Sequence, residues 1–191
     1  SLLALPLLFY TPETEFGFGV GAQLFFKNKE LAQNAKQSNA FGTLIYTSRK
    51  QFIAQLKTRT YLNSDQYILD GNFKYQIFPN IFWGIGNDTE EDAAEDYNQQ
   101  VFEFDASFLK QIPGNVNFGF LFSLADYDIT EVQDSGLLAS GDIEGSDGAL
   151  LIGMGVILNV DSRDNYFSPL QGGFYQLKVN LTSKAMGSTH S

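Results

Sequence analysis

Apolar and polar residues alternate with a period of two along most of this chain. Between positions 16 and 26 the even residues are apolar, whereas the odd ones include Gly17, Gly19, Gly21 and Gln23. The same alternation recurs at 52–59, 67–77, 102–108, 116–124, 150–160 and 175–182, and more weakly at 41–47 and 81–87. A period of two predicts β-strands with one apolar and one polar face. The chain is therefore expected to form about nine strands of roughly 9–13 residues, the length of a tilted strand that crosses a bilayer.

Composition bears on the kind of β-protein that these strands build. The 191 residues include 18 Phe, 9 Tyr and 18 Gly, and the mean hydropathy is −0.13. No apolar run approaches the ~18 residues of a transmembrane helix. The polar faces are rich in Gly, Asn, Gln and Ser, unlike the Lys- and Glu-rich faces typical of soluble sheets. The predicted fold is all-β, an antiparallel transmembrane β-barrel. The alternative is a soluble β-sandwich or lipocalin-like barrel, which would place Phe118, Phe120 and Phe122 inside.

The connections between strands predict which side of a membrane each one faces. Polar connections are expected at 27–39, 63–66, 88–96 and 127–148, and tight turns at 48–51, 78–80 and 111–115. Outer-membrane barrels have short periplasmic turns and longer extracellular loops. This rhythm places 27–39 and 88–96 together on the outer side and Asp161–Gly173 on the periplasmic side. The acidic stretch at 88–96 is interpreted as a solvated loop, with binding of a divalent cation as the less favoured alternative.

Charge and missing motifs exclude several functions. The formal net charge is −10 and the pI is about 4.4, which argues against nucleic acid as a partner. The one histidine is His190, so a Ser-His-Asp triad has no plausible member. Metalloprotease, nucleophile-elbow and phosphate-loop motifs do not occur, and nothing supports Asp126 and Asp128 as a glycosidase pair. We therefore expect no enzymatic activity, no cofactor and no metal.

The first residues are apolar and resemble the core of a signal peptide. Leu2–Phe9 lacks a preceding basic region, however, and Pro6 interrupts it. Residues 1–14 are therefore interpreted as a periplasmic-side lead-in to the barrel. Residues 15–191 are interpreted as the barrel domain, truncated at its C-terminal end.

The segment GVILNVDSRDNYFSPLQGGFYQLKVNL, residues 155–181, joins an apolar strand, a charged turn and an aromatic strand. It resembles the BamA/TamA superfamily of outer-membrane barrels, also called the bacterial surface antigen family. The family pattern Asp-x-Arg-Asp-Asn, then Pro-x-x-Gly, matches Asp161, Arg163, Asp164, Asn165, Pro169 and Gly172, with Phe174 and Tyr175 following. The stretch FYTPETEFGFGVG, with Pro12, Glu13 and Thr14, resembles the approach to the family's first strand. WGIGNDT with Tyr97, and GSDGALLIGMGVILNVDSRDN, also look like the family.

The resemblance implies a barrel of roughly sixteen strands, of which this chain is the N-terminal half. The family's Val-Arg-Gly-Phe-like loop motif does not occur in the sequence. The implied location is the outer membrane of Gram-negative bacteria. The implied role is insertion or translocation of outer-membrane proteins, in contact with outer-membrane lipids and client proteins, and without a cofactor. Two alternatives stay open: a small closed barrel acting as a channel, adhesin or structural protein, and a soluble barrel that binds an apolar ligand.

Two sites are expected within this resemblance. The strand Glu15–Phe26 would be one edge of a seam that opens laterally, because its three glycines weaken the sheet. Asp161–Gly173 would be a periplasmic turn in which Arg163 forks between nearby carboxylates and Asp161 accepts backbone N–H groups. A structural turn is favoured there over direct contact with client proteins. Open strand edges also predict self-association.

Overall fold

A computed structural model describes residues 1–27, 36–86, 89, 94–134, 136–165 and 168–189. Its strands are β1 (Leu2–Thr11), β2 (Glu15–Phe26), β3 (Ser38–Thr47), β4 (Phe52–Leu62), β5 (Tyr67–Phe82), β6 (Glu95–Ile112), β7 (Val116–Thr130), β8 (Ala149–Asp161) and β9 (Phe174–Thr182). A 3-10 helix follows at Lys184–Met186. None of the helical structure in the described ranges is long and apolar enough to cross a membrane.

The nine strands form one sheet in the order β1 to β9. Each strand is antiparallel to its neighbours along the chain, so the topology is a simple meander. The sheet is not closed, because within the described residues β1 pairs with β2 alone and β9 with β8 alone. The expectation of an all-β antiparallel fold with nine strands is confirmed.

Residues 1–14, expected to lead into the barrel, contain a strand of the sheet itself, Leu2–Thr11. It pairs with β2 along its whole length. Ser1 and Phe25 exchange two backbone hydrogen bonds of 2.8 Å. Since hydrogen-bonded and non-bonded pairs alternate in an antiparallel ladder, the even residues of β1 direct their backbone groups away from β2. Pro6 is one of them, so its missing N–H costs no bond to β2.

The tight turn expected at 78–80 is also wrong. Residues 67–82 form one strand, and the segment predicted separately at 81–87 extends it. The backbone N–H of Gln111 donates to Gln66 O, and these two residues continue the register of the β5–β6 ladder. The even residues of β5 are therefore hydrogen-bonded to β6, and the odd ones direct their backbone groups toward β4. Pro79 is odd, but β4 begins at Phe52, opposite Ile77. No β4 residue therefore lies opposite Pro79, and the missing donor breaks no ladder bond.

Loss of that turn changes which connections share an end of the sheet. We call one end the loop end; it carries residues 12–14, 48–51, 83–94 and 131–148. The other, the motif end, carries 27–37, 63–66, 113–115 and 162–173. The expectation that 27–39 and 88–96 lie on the same side is therefore wrong. Most of the acidic 88–96 stretch falls outside the described residues, and Glu95 and Asp96 belong to β6.

The two faces of the sheet differ in chemistry, as the alternation predicts. Side chains from β2 through β9 line one cavity of about 490 Å³, so the sheet curves toward its polar face. We call this the concave face and the opposite one the convex face. Phe118 and Phe120 lie on the convex face with 41% and 66% of their surface exposed. This is the reverse of the arrangement that a soluble barrel with an apolar interior requires.

A small apolar cluster interrupts the polar concave face. It comprises Tyr61, Ile68, Leu109, Leu121 and Ile157, all at most 8% exposed. Four of them lie in one row across the strands. Tyr61 pairs with Ile68, and Ile68 pairs with Leu109. Leu109 pairs with Gly119, whose partner on β8 is Ile157. This apolar cluster therefore lies on the inner wall, toward the motif end.

Candidate functional site

Cross-strand polar pairs hold the concave face together. Arg59 and Asp70 are direct partners on β4 and β5, and the guanidinium contacts both carboxylate oxygens, Nε to Oδ1 at 2.6 Å and a terminal nitrogen to Oδ2 at 2.7 Å. Both side chains are at most a quarter exposed. A bidentate pair of this kind is geometrically specific and stronger than a single contact. It fixes the register of β4 against β5 inside the cavity.

A chain of amide and carboxylate groups continues across the next strand. Gln55 donates to Asn72 Oδ1 at 3.0 Å, and Asn72 donates to Asp105 Oδ2 at 3.2 Å. Lys74 and Glu103 form an ion pair at 3.5 Å. These contacts link β4, β5 and β6 on one wall. The inner surface of these three strands is therefore a set of connected polar rows.

The Asp161–Gly173 segment brings its sequence motif together in one turn. Arg163 contacts both oxygens of Asp161, each at 2.7 Å, and its backbone N–H donates to Asp161 at 3.3 Å. The guanidinium also lies 4.8 Å from the centre of the Phe174 ring. The predicted fork is thus directed at Asp161, while Asp164 has a different set of partners. Arg163 and Phe174 together pin the turn to the start of β9.

Asp164 organises the backbone of the same turn. Its Oδ1 accepts the backbone N–H groups of Asn165, Leu170 and Gln171 at 2.9, 3.0 and 3.2 Å. The Gln171 contact, followed by those from Leu170 and Asn165, lowers the pKa of Asp164 below its ordinary value. Asn165 Oδ1 accepts the N–H of Ser168 at 3.1 Å, next to Pro169.

Gly172 closes the turn in a left-handed conformation, with φ of 82°. A Cβ at this position would clash with the backbone oxygen of Ser162. Ser162 in turn donates its N–H to Gly173 O at 2.9 Å, and its hydroxyl accepts the Gly173 N–H at 3.0 Å. Only glycine fits there without strain, which accounts for the glycine of the Pro-x-x-Gly pattern.

A second cavity, of about 600 Å³, separates this turn from the neighbouring connections at the motif end. Lys36, Tyr61, Gln111 and Asn115 line it together with residues 161 and 163–165. Lys36 lies 5.6 Å from the centre of the Tyr61 ring. The motif therefore lies beside the β2–β3 connection and the β6–β7 turn.

Pro12, Glu13 and Thr14 form a tight turn between β1 and β2. The hydroxyls of Thr11 and Thr14 lie 2.7 Å apart, and Glu13 O accepts from Gln51 at 3.5 Å. These residues therefore do not precede the sheet; they connect its first two strands at the loop end.

The glycines of β2 accommodate both neighbouring strands. The Phe9 ring of β1 occupies the space above Gly17, and Leu44 O of β3 approaches Gly19 so closely that a Cβ would clash. Gly21 has only ordinary contacts. Since β2 has partners on both sides, Glu15–Phe26 is not an edge, and the expectation that it forms one is wrong.

The alternation gave no indication of one further contact. Glu95, only 8% exposed, accepts the backbone N–H groups of Leu137 and Leu138 at 2.6 and 3.1 Å. It ties the β7–β8 connection to the start of β6. Within the described parts of the chain, no group of three or more Asp, Glu, His or Cys residues could hold a metal ion. No protein-family model, curated protein or solved structure matches this chain.

Proposed function

We propose that this chain forms part of the wall of a bacterial outer-membrane β-barrel of the BamA/TamA kind, which inserts or translocates outer-membrane proteins. The main observation that supports this proposal is the height of the apolar band on the convex face. On β6 this face is apolar between Gln100 and Lys110, and on β7 it becomes acidic at Asp126. Ten residues span about 33 Å, or about 25 Å in height at a tilt of ~40°, which matches the apolar band of outer-membrane barrels.

Tyrosines at the borders of this band support the proposal. Near the loop end the rings of Tyr10 and Phe16, of Phe18 and Tyr46, and of Phe52 and Tyr75 are in contact. The Tyr75 hydroxyl donates to Gln100, at the polar border, at 3.1 Å. At the opposite border Tyr67 pairs with Lys110. Aromatic girdles at both interfaces are typical of membrane barrels.

The exposed apolar area is a second support. Large apolar side chains on every strand of the convex face are exposed, among them Leu8, Phe18, Leu44, Leu69, Phe120, Met154 and Leu177. Contiguous apolar patches beyond a few hundred Å² are rare on soluble monomers. Lipid would cover such a face, and the sheet satisfies its own backbone groups except at the two edges.

Those edges bear on the size of the complete barrel and on its partners. β1 and β9 both run from the motif end to the loop end, so they are parallel. An all-antiparallel barrel would need an odd number of further strands between them, and about seven would give the sixteen-stranded form. A client strand or a second copy could also occupy an edge. We place the weak seam at β1, because Pro6 removes a donor from its free edge.

The strong curvature favours a second candidate, a small closed barrel acting as a channel, adhesin or structural protein. Residues as far apart as Gln23 on β2 and Lys178 on β9 line the same cavity. Direct closure would need a parallel β1–β9 seam with one hydrogen bond missing at Pro6. A monodisperse, heat-modifiable monomer in detergent would favour this candidate over the larger barrel.

The membrane proposal is tested with single-cysteine variants, because the chain has no cysteine of its own. Fluorescent labels at positions 69 and 120 on the convex face should be quenched from the lipid phase. Matched labels at positions 23 and 107 on the concave face should respond only to an aqueous quencher. Lipid-phase quenching of the concave labels, or none at the convex ones, would refute the membrane wall.

A further inference from the structure

Two lysines on the concave face have no counter-charge. Lys57 of β4 and Lys178 of β9 both line the 490 Å³ cavity, and both are exposed to it. Among the described residues neither ammonium has an ion-pair or hydrogen-bond partner. The two strands are far apart in the sheet, so curvature alone brings these cations to one cavity.

The other charges of the cavity leave it cationic. Arg59 and Asp70 neutralise each other through their bidentate contact. Asp105 carries one further negative charge and accepts from Asn72. With Lys57 and Lys178 the lining therefore has a net charge of about +1, in a protein whose formal charge is −10. Such a local reversal of sign concentrates anions.

We infer that this cavity binds a compact anionic group of the phosphate type between Lys57 and Lys178. A cavity of about 490 Å³ has room for a small ligand. Amide side chains of Gln23, Asn39 and Gln176 line the same space and can bind further oxygens. Each lysine acts as a point charge with rotatable donors, which suits a multivalent anion approached from two walls. The inference concerns the concave face and holds whether or not a membrane covers the convex one.

The phosphate could belong to a free solute or to a lipid headgroup. Free pyrophosphate and phosphatidic acid in mixed micelles are therefore two arms of one experiment on the full chain in detergent. Limited acetylation of lysines, quantified for each residue by mass spectrometry, is the readout. Saturating probe should slow modification of Lys57 and Lys178 at least threefold. The exposed Lys50 and Lys184 serve as internal controls and should not change.

Substitutions distinguish one site shared by Lys57 and Lys178 from two lysines that bind the probe independently. Lys57→Gln should abolish protection of Lys178, whereas Lys57→Arg should retain it. Asp105→Asn, which keeps the acceptor for Asn72, should give protection at lower probe concentration. Protection by pyrophosphate identifies a solute site, and protection by phosphatidic acid alone identifies a headgroup site. Protection in neither arm, protection equal to that of Lys50, or protection of Lys178 that persists in Lys57→Gln would overturn the inference.

Discussion

The two edges of this sheet, β1 and β9, are built differently. β1 is apolar on both faces, and its concave side chains lie over the glycines of β2. β9 alternates strictly, and each of its residues is exposed. Ser162 and Gly173 form a bonded pair at the start of the β8–β9 ladder, so the even residues of β9 face the free edge. None of them is proline, whereas β1 has Pro6 at such a position.

Because of this difference, the two edges are suited to different tasks. β9 presents an uninterrupted row of N–H and C=O groups, which is a template for another strand. The row on β1 is divided at Pro6, and its attachment to β2 depends on side chains packed over glycine. We therefore expect the sheet to extend at β9 and to open at β1.

The largest effect should come from Gly155→Ala, which attacks the attachment of β9. A Cβ there would clash with Val179 O and lie 2.9 Å from Asn180 Cα, both backbone atoms. We expect a loss of about 3 kcal/mol in unfolding free energy, the upper range for overpacking, and faster amide exchange in β9. Gly21→Ala is the matched control beside β1, because its nearest atom is 3.8 Å away. Equal losses in denaturant unfolding of the two variants would contradict this reading.

Arg163→Ala should loosen the turn that leads into β9. The Arg163–Asp161 pair is at most a quarter exposed, so we expect a loss of about 2 kcal/mol. Arg163→Lys should recover little, since an ammonium cannot form the fork. Arg49→Ala removes an exposed pair with Glu15 and should cost only ~0.2–1 kcal/mol. Unfolding free energies measure all three, and wild-type stability in both Arg163 variants would mean that the fork contributes nothing.

Pro6→Ala should make the β1 edge more like the β9 edge. It restores one N–H on the free edge, worth about 1 kcal/mol per hydrogen bond. Self-association in detergent should therefore strengthen about fivefold, as measured by analytical ultracentrifugation. Pro79→Ala is the control, because no strand faces that position of β5. An equal change in both variants would show that the edge is not the cause.

The smallest effect should come from acidification at the base of β9. The pKa of Asp164 is lower in the folded chain, so its contribution is fully present above the ordinary aspartate value of 3.8. It is lost as the pH falls through the lower folded value. Protection of the Leu170 and Gln171 amides, relative to their intrinsic exchange rates, should therefore fall only below about pH 3.8. Asp164→Asn should remove this dependence, while an unchanged profile in the variant would assign it to another group.

Strands with one apolar and one polar face were predictable from the sequence, whereas a strand that is apolar on both faces was not. β2, β7 and β9 alternate and lie where the pattern indicates. β1 does not alternate, because its inner side chains pack over glycine and need no polar face. Pro79 led to the prediction of a turn. The strand continues through it because β4 begins opposite Ile77, so no neighbouring strand needs the N–H that proline lacks. The motif around Asp161 was visible as residue types, but the choice of Asp161 over Asp164 as the partner of Arg163 depends on the path of the backbone.

The length of β6 has a consequence for what lies above the proposed membrane surface. The strand has 18 residues and begins at Glu95, whereas the apolar band begins only after Gln100. The part of β6 from Glu95 to Gln100, at a tilt of ~40°, would extend roughly 15 Å beyond the hydrocarbon layer. Glu95 also anchors the β7–β8 connection to this projecting part. If the proposed membrane wall is correct, this end of β6 stands clear of the lipid as a stiff, acidic extension, and it would keep large molecules away from the lipid surface beside it.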